Sequence, residues 1–244
     1  MKKLVLVLAI AMAACSSDGD NFIEDVGPTV KKVTLNTEVI MASETNPIMQ
    51  RKATCDFPAL YEHTVPSTFN VYFIPTDIVS ATITYTNVEA GKRVFELPAM
   101  KYRVVVTNSE VQHRYQLPQS SDVLLLFGEN TVDFTTIENV DVEVTNDYAS
   151  IMVVKNKAIT SAPIFGSITL ADLGTYYNIY MRNGEGGAII GDLGINNWTY
   201  RSSVSVMPNE VHRFMICAED GLNIIVDSNI LTAVTSTIID RKKA

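Results

Sequence analysis

The sequence predicts an all-β protein built as two tandem β-sandwich domains. Three observations predict it. Short runs rich in Val, Ile, Thr, Tyr and Phe alternate apolar with polar residues along most of the chain, the period of a half-buried strand. Gly, Pro, Asn and Asp break these runs at short intervals, as turns require. No window of twelve or more residues carries a helical period. About fifteen short strands exceed the seven to nine of one immunoglobulin-sized sandwich, so two domains fit better.

In chain order, 30–41 reads as the first strand, with Val33, Leu35, Val39 and Ile40 as inward candidates. The run 69–74 alternates Phe69, Val71 and Phe73 and stops at Pro75. The run 79–85 sets Val79, Ala81, Ile83 and Tyr85 on one face against Ser80, Thr82 and Thr84, a half-buried antiparallel pattern. Further strands are expected at 93–97, 102–107, 123–127, 131–135 and 140–144. In the last, Val140, Val142 and Val144 face inward while Asp141 and Glu143 form a solvated face.

The second half continues with strands at 150–154, 164–170, 177–181, 203–207, 212–217, 222–226 and 231–239. Pro163, Gly184-Glu185-Gly186-Gly187, Gly191, Gly194 and Pro208-Asn209 separate them. Asp220-Gly221 is a hairpin signal, because both residues tolerate positive φ. The polar Thr145-Asn146-Asp147 marks the expected junction, giving domains at 30–147 and 148–244. With no Pro- or Ser-rich linker there, the two are expected to pack together.

The first fourteen residues are expected to be a leader rather than part of the fold. Lys2 and Lys3 precede an apolar run from Leu4 to Ala14. That run is too short for a bilayer core, which takes ~20 helical residues, and it suits a secretory signal. Met12-Ala13-Ala14-Cys15 resembles the lipobox of bacterial lipoproteins, with Met12 where Leu is usual. The resemblance implies a signal peptide at 1–14, acylation (diacylglycerol and palmitate-type chains) of Cys15 and a membrane anchor, and two or more chains anchor stably. Residues 15–29 form a flexible acidic tether. Its Ser16-Ser17-Asp18-Gly19-Asp20 resembles the export signal that sends lipoproteins of Gram-negative anaerobes to the outer face of the cell outer membrane.

Without Lys2 and Lys3 the chain carries 17 basic against 27 acidic side chains, a net charge near −10. Nucleic acid is therefore not an expected partner, since phosphates need Lys and Arg clusters. Of the three cysteines, Cys55 and Cys217 remain beside Cys15. A bridge is open to them in an oxidising compartment, although isolated cysteines on apolar strands are more often buried thiols. Neither has a His or Cys at zinc-ligand spacing.

Two local patterns carry a further resemblance. Phe95-Glu96-Leu97-Pro98-Ala99-Met100-Lys101-Tyr102-Arg103-Val104 is similar to the turn and strand of Greek-key, transthyretin-like sandwiches, with Met100 where Gly is usual. Val206-Met207-Pro208-Asn209-Glu210-Val211-His212-Arg213-Phe214 resembles the later Pro-Gly turn and strand of fimbrillin-type second domains. Asn209 replaces Gly, which still permits a left-handed turn. Taken with the lipobox, the chain resembles the fimbrillin superfamily of pilus subunits, anchors and tip proteins.

That resemblance implies two transthyretin-like sandwiches and a role in the fimbrium, in cell adhesion or pilus assembly. Other subunits, or a second copy, would be partners through β-strand addition, with surface glycans or proteins as further partners. Some members of the family lose their first strand after an arginine. Arg51, which follows the 30–41 strand, is the candidate position here. Loss of that strand would bare unpaired backbone groups, a template for another strand. An ordinary surface Arg51-Lys52 pair is the plainer account. The apolar 230–239 segment is a candidate donor strand, or simply the last strand of its own sheet.

Chemistry is not visible. His63, His113 and His212 are far apart in sequence, so no local metal site is expected; His212 is expected to be half-exposed. No Gly-x-Ser-x-Gly elbow or His-Glu-x-x-His helix is present. Gly184–Gly187 lacks the helix and Lys-Ser/Thr pair of a phosphate loop and reads as a loop between strands. The expectation is a non-enzymatic protein without cofactors. Trp198 and Tyr200 lie in a Gly- and Asn-rich stretch, where aromatic rings can stack on sugars. They support an alternative, a glycan-binding outer-membrane lipoprotein of a polysaccharide uptake system.

Overall fold

The computed structural model describes residues 29–41, 61, 63–77, 79–157, 159–182, 187–193, 198–217, 223–230 and 233–234. Among them, nineteen strands follow one another. In the first half these are β1 (Val30–Ile40), β2 (His63–Thr64), β3 (Thr68–Pro75), β4 (Ile83–Glu89), β5 (Gly91–Pro98), β6 (Lys101–Thr107), β7 (Ser120–Ser121), β8 (Leu126–Asp133) and β9 (Asn139–Asn146). In the second half come β10 (Tyr148–Val154), β11 (Ile164–Phe165), β12 (Ile168–Thr169), β13 (Ala171–Asp172), β14 (Tyr176–Arg182), β15 (Gly187–Leu193), β16 (Trp198–Val204), β17 (Glu210–Cys217), β18 (Asn223–Ile230) and β19 (Ala233–Val234). The expected all-β class is what the structure has.

The first half is one seven-stranded sheet in the order β4-β3-β6-β8-β9-β1-β5. Strands β4 and β5 are joined by Ala90 alone, yet stand at opposite ends of that order. The sheet therefore folds back on itself. The rings of Phe73, Tyr85, Phe95, Tyr102 and Phe134 meet inside the fold, with centroids 4.7 Å apart for Tyr85 and Phe95 and 5.3 Å for Phe73 and Phe95. Such edge and tilted ring pairs favour burial beyond their area alone.

The fold-back is made possible at Gly128. Strands β8 and β9 pair only at Leu126–Asn146 and Phe127–Thr145. A Cβ at Gly128 would collide with the Glu143 carbonyl oxygen and Val142 Cγ1, so only glycine lets the two backbones pass this closely.

The turn at 98–102 explains why its sequence pattern recurs in sandwiches. Tyr102 is fully buried and its hydroxyl donates to the Pro98 carbonyl at 3.1 Å. The Ala99 N–H donates to Thr29 O, and Phe134 N–H donates to Met100 O. A tyrosine reaching back over four residues thus closes the corner, and burial pushes its phenol up to about 12. At the second pattern Asn209 has φ of 65°, the left-handed conformation its identity permits. Its N–H donates to Tyr148 O, and its side-chain oxygen accepts from Asn146 Nδ2.

The second half contains a sheet ordered β13-β14-β10-β17-β18, with β7 also on β14, and a four-stranded sheet ordered β12-β11-β15-β16. Strand β10 is buried at all seven positions. Its alternation divides them: Tyr148, Met152 and Val154 join the core of the first half. Ala149, Ile151 and Val153 face the four-stranded sheet with Phe165, Ile179, Ile189 and Phe214. A strand buried on both faces carries a continuous apolar run, here Ile151 to Val154. The first-half core thus continues past the expected junction at 145–147.

That junction is pinned. Asp147 alone separates β9 from β10. Its carboxylate accepts from Arg114 Nη1 at 2.5 Å and lies 3.7 Å from Arg182 Nη2. Arg114 also donates to Phe127 O and lies over the Phe127 ring.

Several strand expectations are corrected. Residues 79–82 are not strand, and Val79 is fully exposed; β4 begins at Ile83 and runs on through Asn87 at φ 56°. The 123–127 and 131–135 runs are one strand, β8, because Gly128 and Asn130 continue the ladder to β6. Residues 164–170 make two short strands around Gly166 at φ 62°. Gly187 and Gly191 lie within β15 rather than in a loop or a break. Tight packing needs the first, since a Cβ on Gly187 would strike the Phe165 ring. The 203–207 strand lies earlier, as β16, and of 231–239 only β19 is described. On β1, Ile40 turns outward and Thr37 takes the inward place in line with Val33 and Leu35, as the period of two demands.

Candidate functional site

The candidate site is the seat of β1. This strand lies inside the sheet, antiparallel to β5 from Val30–Pro98 to Thr37–Gly91 and parallel to β9 from Thr34–Asn139 to Ile40–Thr145. Val33, Leu35 and Thr37 are buried at 1%, 0% and 5% exposure. Outward contacts are few. Thr34 N–H donates to Glu138 O at 2.7 Å, Lys31 Nζ to Thr135 O at 2.9 Å and Asn36 Nδ2 to Asp141 Oδ1 at 3.0 Å. The exposed Lys32–Glu96 pair, at 3.9 Å, adds little. Backbone ladders and inward side chains hold β1, Val33, Leu35 and Thr37 buried and Val39 packed partly against the same core.

Beside this seat, where β8 and β9 part, lies a cleft of about 480 Å³ lined by Arg114, Glu129, Asn130, Asp141, Glu143 and Thr145. Asn130 Nδ2 spans it to Asp141 O at 2.8 Å, and Arg103 pairs with Glu129 at 3.0 Å. Asp141 and Glu143 are exposed as expected of a solvated face. A smaller cleft of about 340 Å³ shares Asp141 and adds Thr34, Asn36 and Lys92.

The histidines stand on different elements. His63, on β2, is buried against Tyr180; His113 stacks on the exposed Tyr115 at 5.1 Å, beside Arg103. His212 is 7% exposed rather than half-exposed, because β17 lies between β10 and β18; its Nε2 is 2.9 Å from Glu210 Oε2. Among the described residues no group of three or more His, Cys, Asp or Glu could hold a metal ion. No described helix is long and apolar enough to cross a membrane.

Cys15, Arg51, Cys55 and the Gly184–Gly186 stretch lie outside the described residues. Trp198 and Tyr200 stand two residues apart on β16, the outer strand of its sheet, opposite Leu193 and Gly191. Cys217 ends β17, opposite Asn223. The internal position of β1 was not readable in sequence: a parallel neighbour a hundred residues away leaves no local signal.

No protein-family model matches the sequence, and no curated protein matches it. The structural neighbours are fimbrial and cell-adhesion proteins of Bacteroides, Parabacteroides and Porphyromonas. One is a candidate cell adhesion protein from Bacteroides ovatus, with a TM-score of 0.47 at 10% identity, covering 84% of this chain and 99% of that one. A fimbrial assembly protein from Parabacteroides distasonis gives 0.40 at 12% identity over 82% and 100%. The fimbrial anchor protein Mfa2 from Porphyromonas gingivalis gives 0.40 at 9% identity over 83% and 98%.

Proposed function

We propose that this chain is a surface protein of the fimbrillin type, acylated at Cys15 and carried to the outer membrane by that lipid, that serves in fimbrial adhesion or assembly without catalysing a reaction. The lipobox and acidic tether support the anchor. The observation that carries the assembly reading is the seat of β1. A strand hydrogen-bonded on both sides, followed eleven residues after Ile40 by Arg51, is one that a single cut would separate from the rest of the chain. The remainder would keep β5 and β9 as two facing edges with an apolar floor where Val33 and Leu35 had been. An extended strand from another subunit satisfies such edges by main-chain hydrogen bonds and fills the floor with alternate side chains.

N-terminal sequencing and intact-mass analysis of the protein taken from the cell surface test this reading. A start at Lys52 identifies a polymerising subunit, and a lipidated Cys15 identifies an anchor or stand-alone protein. An unlipidated start elsewhere contradicts the proposal. The glycan-binding alternative draws on Trp198 and Tyr200 sharing the outer strand β16. Glycan-array binding lost in Trp198→Ala would favour it.

A further inference from the structure

The last described strand, β19, is only two residues long and pairs in parallel with β2, Ala233 beside His63 and Val234 beside Thr64. Among the described residues this pair forms a two-stranded sheet of its own. The sheet ordered β13-β14-β10-β17-β18, the middle sheet between the two cores, holds this segment through the buried His63 and Val65. The His63 ring is 2% exposed, and its Nδ1 lies 2.7 Å from the Tyr180 hydroxyl on β14. The ring meets Tyr61 edge-on at 5.2 Å and Tyr180 at 5.6 Å, while Tyr61 in turn meets Tyr176 at 6.5 Å.

With the Tyr180 hydroxyl donating to Nδ1, the neutral ring carries its proton on Nε2. That nitrogen has no hydrogen-bond partner among the described residues. The titratable groups in contact with the ring are two phenols, Tyr61 from its own segment and Tyr180 from β14, with Tyr176 behind Tyr61. Among the described residues no carboxylate is in contact with it. A protonated ring would be a buried cation with no carboxylate against it among the described residues, its Nδ1–H turned to donate to the Tyr180 oxygen. Burial of the charge therefore makes protonation disfavour the docked position.

We infer that His63 makes the β2–β19 pair an acid-released latch: neutral, it holds β2 on the middle sheet, and protonated, it lets β2 and the strand paired with it come away while the seven-stranded sheet stays folded. Burial lowers the His63 pKa from its ordinary 6.5 to about 4. A group lowered in the docked state takes up its proton on release, so the released population grows as pH falls below 6.5 and levels off near 4. Between pH 7 and pH 5 the growth is about 20-fold.

Hydrogen exchange followed by mass spectrometry on the full chain, with rates corrected for intrinsic pH dependence, tests the latch. Protection of peptides covering 63–65 and 233–234 should fall about 20-fold from pH 7 to pH 5, while β6 peptides hold theirs. In His63→Phe the fall should shrink below about 2-fold, because the ring that takes up the proton is gone. An undiminished fall in His63→Phe, or a flat profile in the wild type, overturns the inference. Should His63→Phe fail to fold, an NMR titration of the wild-type histidine rings decides. A His63 midpoint well below the ordinary value supports the latch, and one near 6.5 refutes it.

Discussion

The first and last described strands, β1 and β19, are held in opposite ways. Strand β1 has a neighbour on each side over most of its eleven residues and puts Val33, Leu35 and Thr37 into the core. Strand β19 has two residues and pairs with β2, whose buried His63 meets Tyr180. Separating β1 means giving up two backbone ladders and buried apolar area together. Releasing β2 means giving up the docking of His63 and the burial of Val65 beside it. The lesson is that one fold can contain a strand removable only by cutting the chain and another whose hold depends on solution conditions.

The largest break in this comparison should come from Leu35→Ala. A fully buried leucine truncated in a packed core costs about 2–5 kcal/mol, read as a drop in the denaturant midpoint. A result under about 1 kcal/mol would mean β1 is held by its ladders alone. Next is Gly128→Ala, which forces a methyl group onto the Glu143 carbonyl oxygen where β8 and β9 part. Overpacking of this kind costs about 1–3 kcal/mol, and thermal unfolding should show it.

Acid comes third and acts on the other strand. Because the His63 pKa is lowered in the folded state, its contribution is fully present above 6.5 and is lost as pH falls from there toward 4. The loss is about 2 kcal/mol by pH 5, and a stability profile of His63→Phe beside the wild type isolates it. The smallest effect is Tyr102→Phe. It removes one hydroxyl bond to Pro98 O and leaves the ring packed, for about 1 kcal/mol. A null result would show that ring packing closes the corner.

Strands whose inward residues keep strict alternation were legible: Val140, Val142 and Val144, or Val33 and Leu35. The turn chemistry of Pro98–Tyr102 and of Asn209 was legible as well, since both rest on residue type. What escaped was set by tertiary contact. Gly187 read as part of a loop and Gly128 fell between two expected strands, because their service, a close approach to Phe165 and to Glu143, involves residues distant in sequence. Burial of β10 on both faces was concealed because strands had been expected to belong to one domain or the other, while Tyr148 and Met152 pack with the first-half core. His212 read as half-exposed from its place near a strand start, and the flanking β10 and β18 bury it. His63 carried no signal at all, because its partners are tyrosines on β14.

The central claim is that the chain is made as a lipoprotein acylated at Cys15 and brought by that lipid to the cell envelope, where its strand edges are the working parts. Metabolic labelling with an alkyne palmitate analogue in the native host tests it most directly. The wild-type chain should take the label and a Cys15→Ser variant should not. Equal labelling of both, or none in the wild type, would contradict the account.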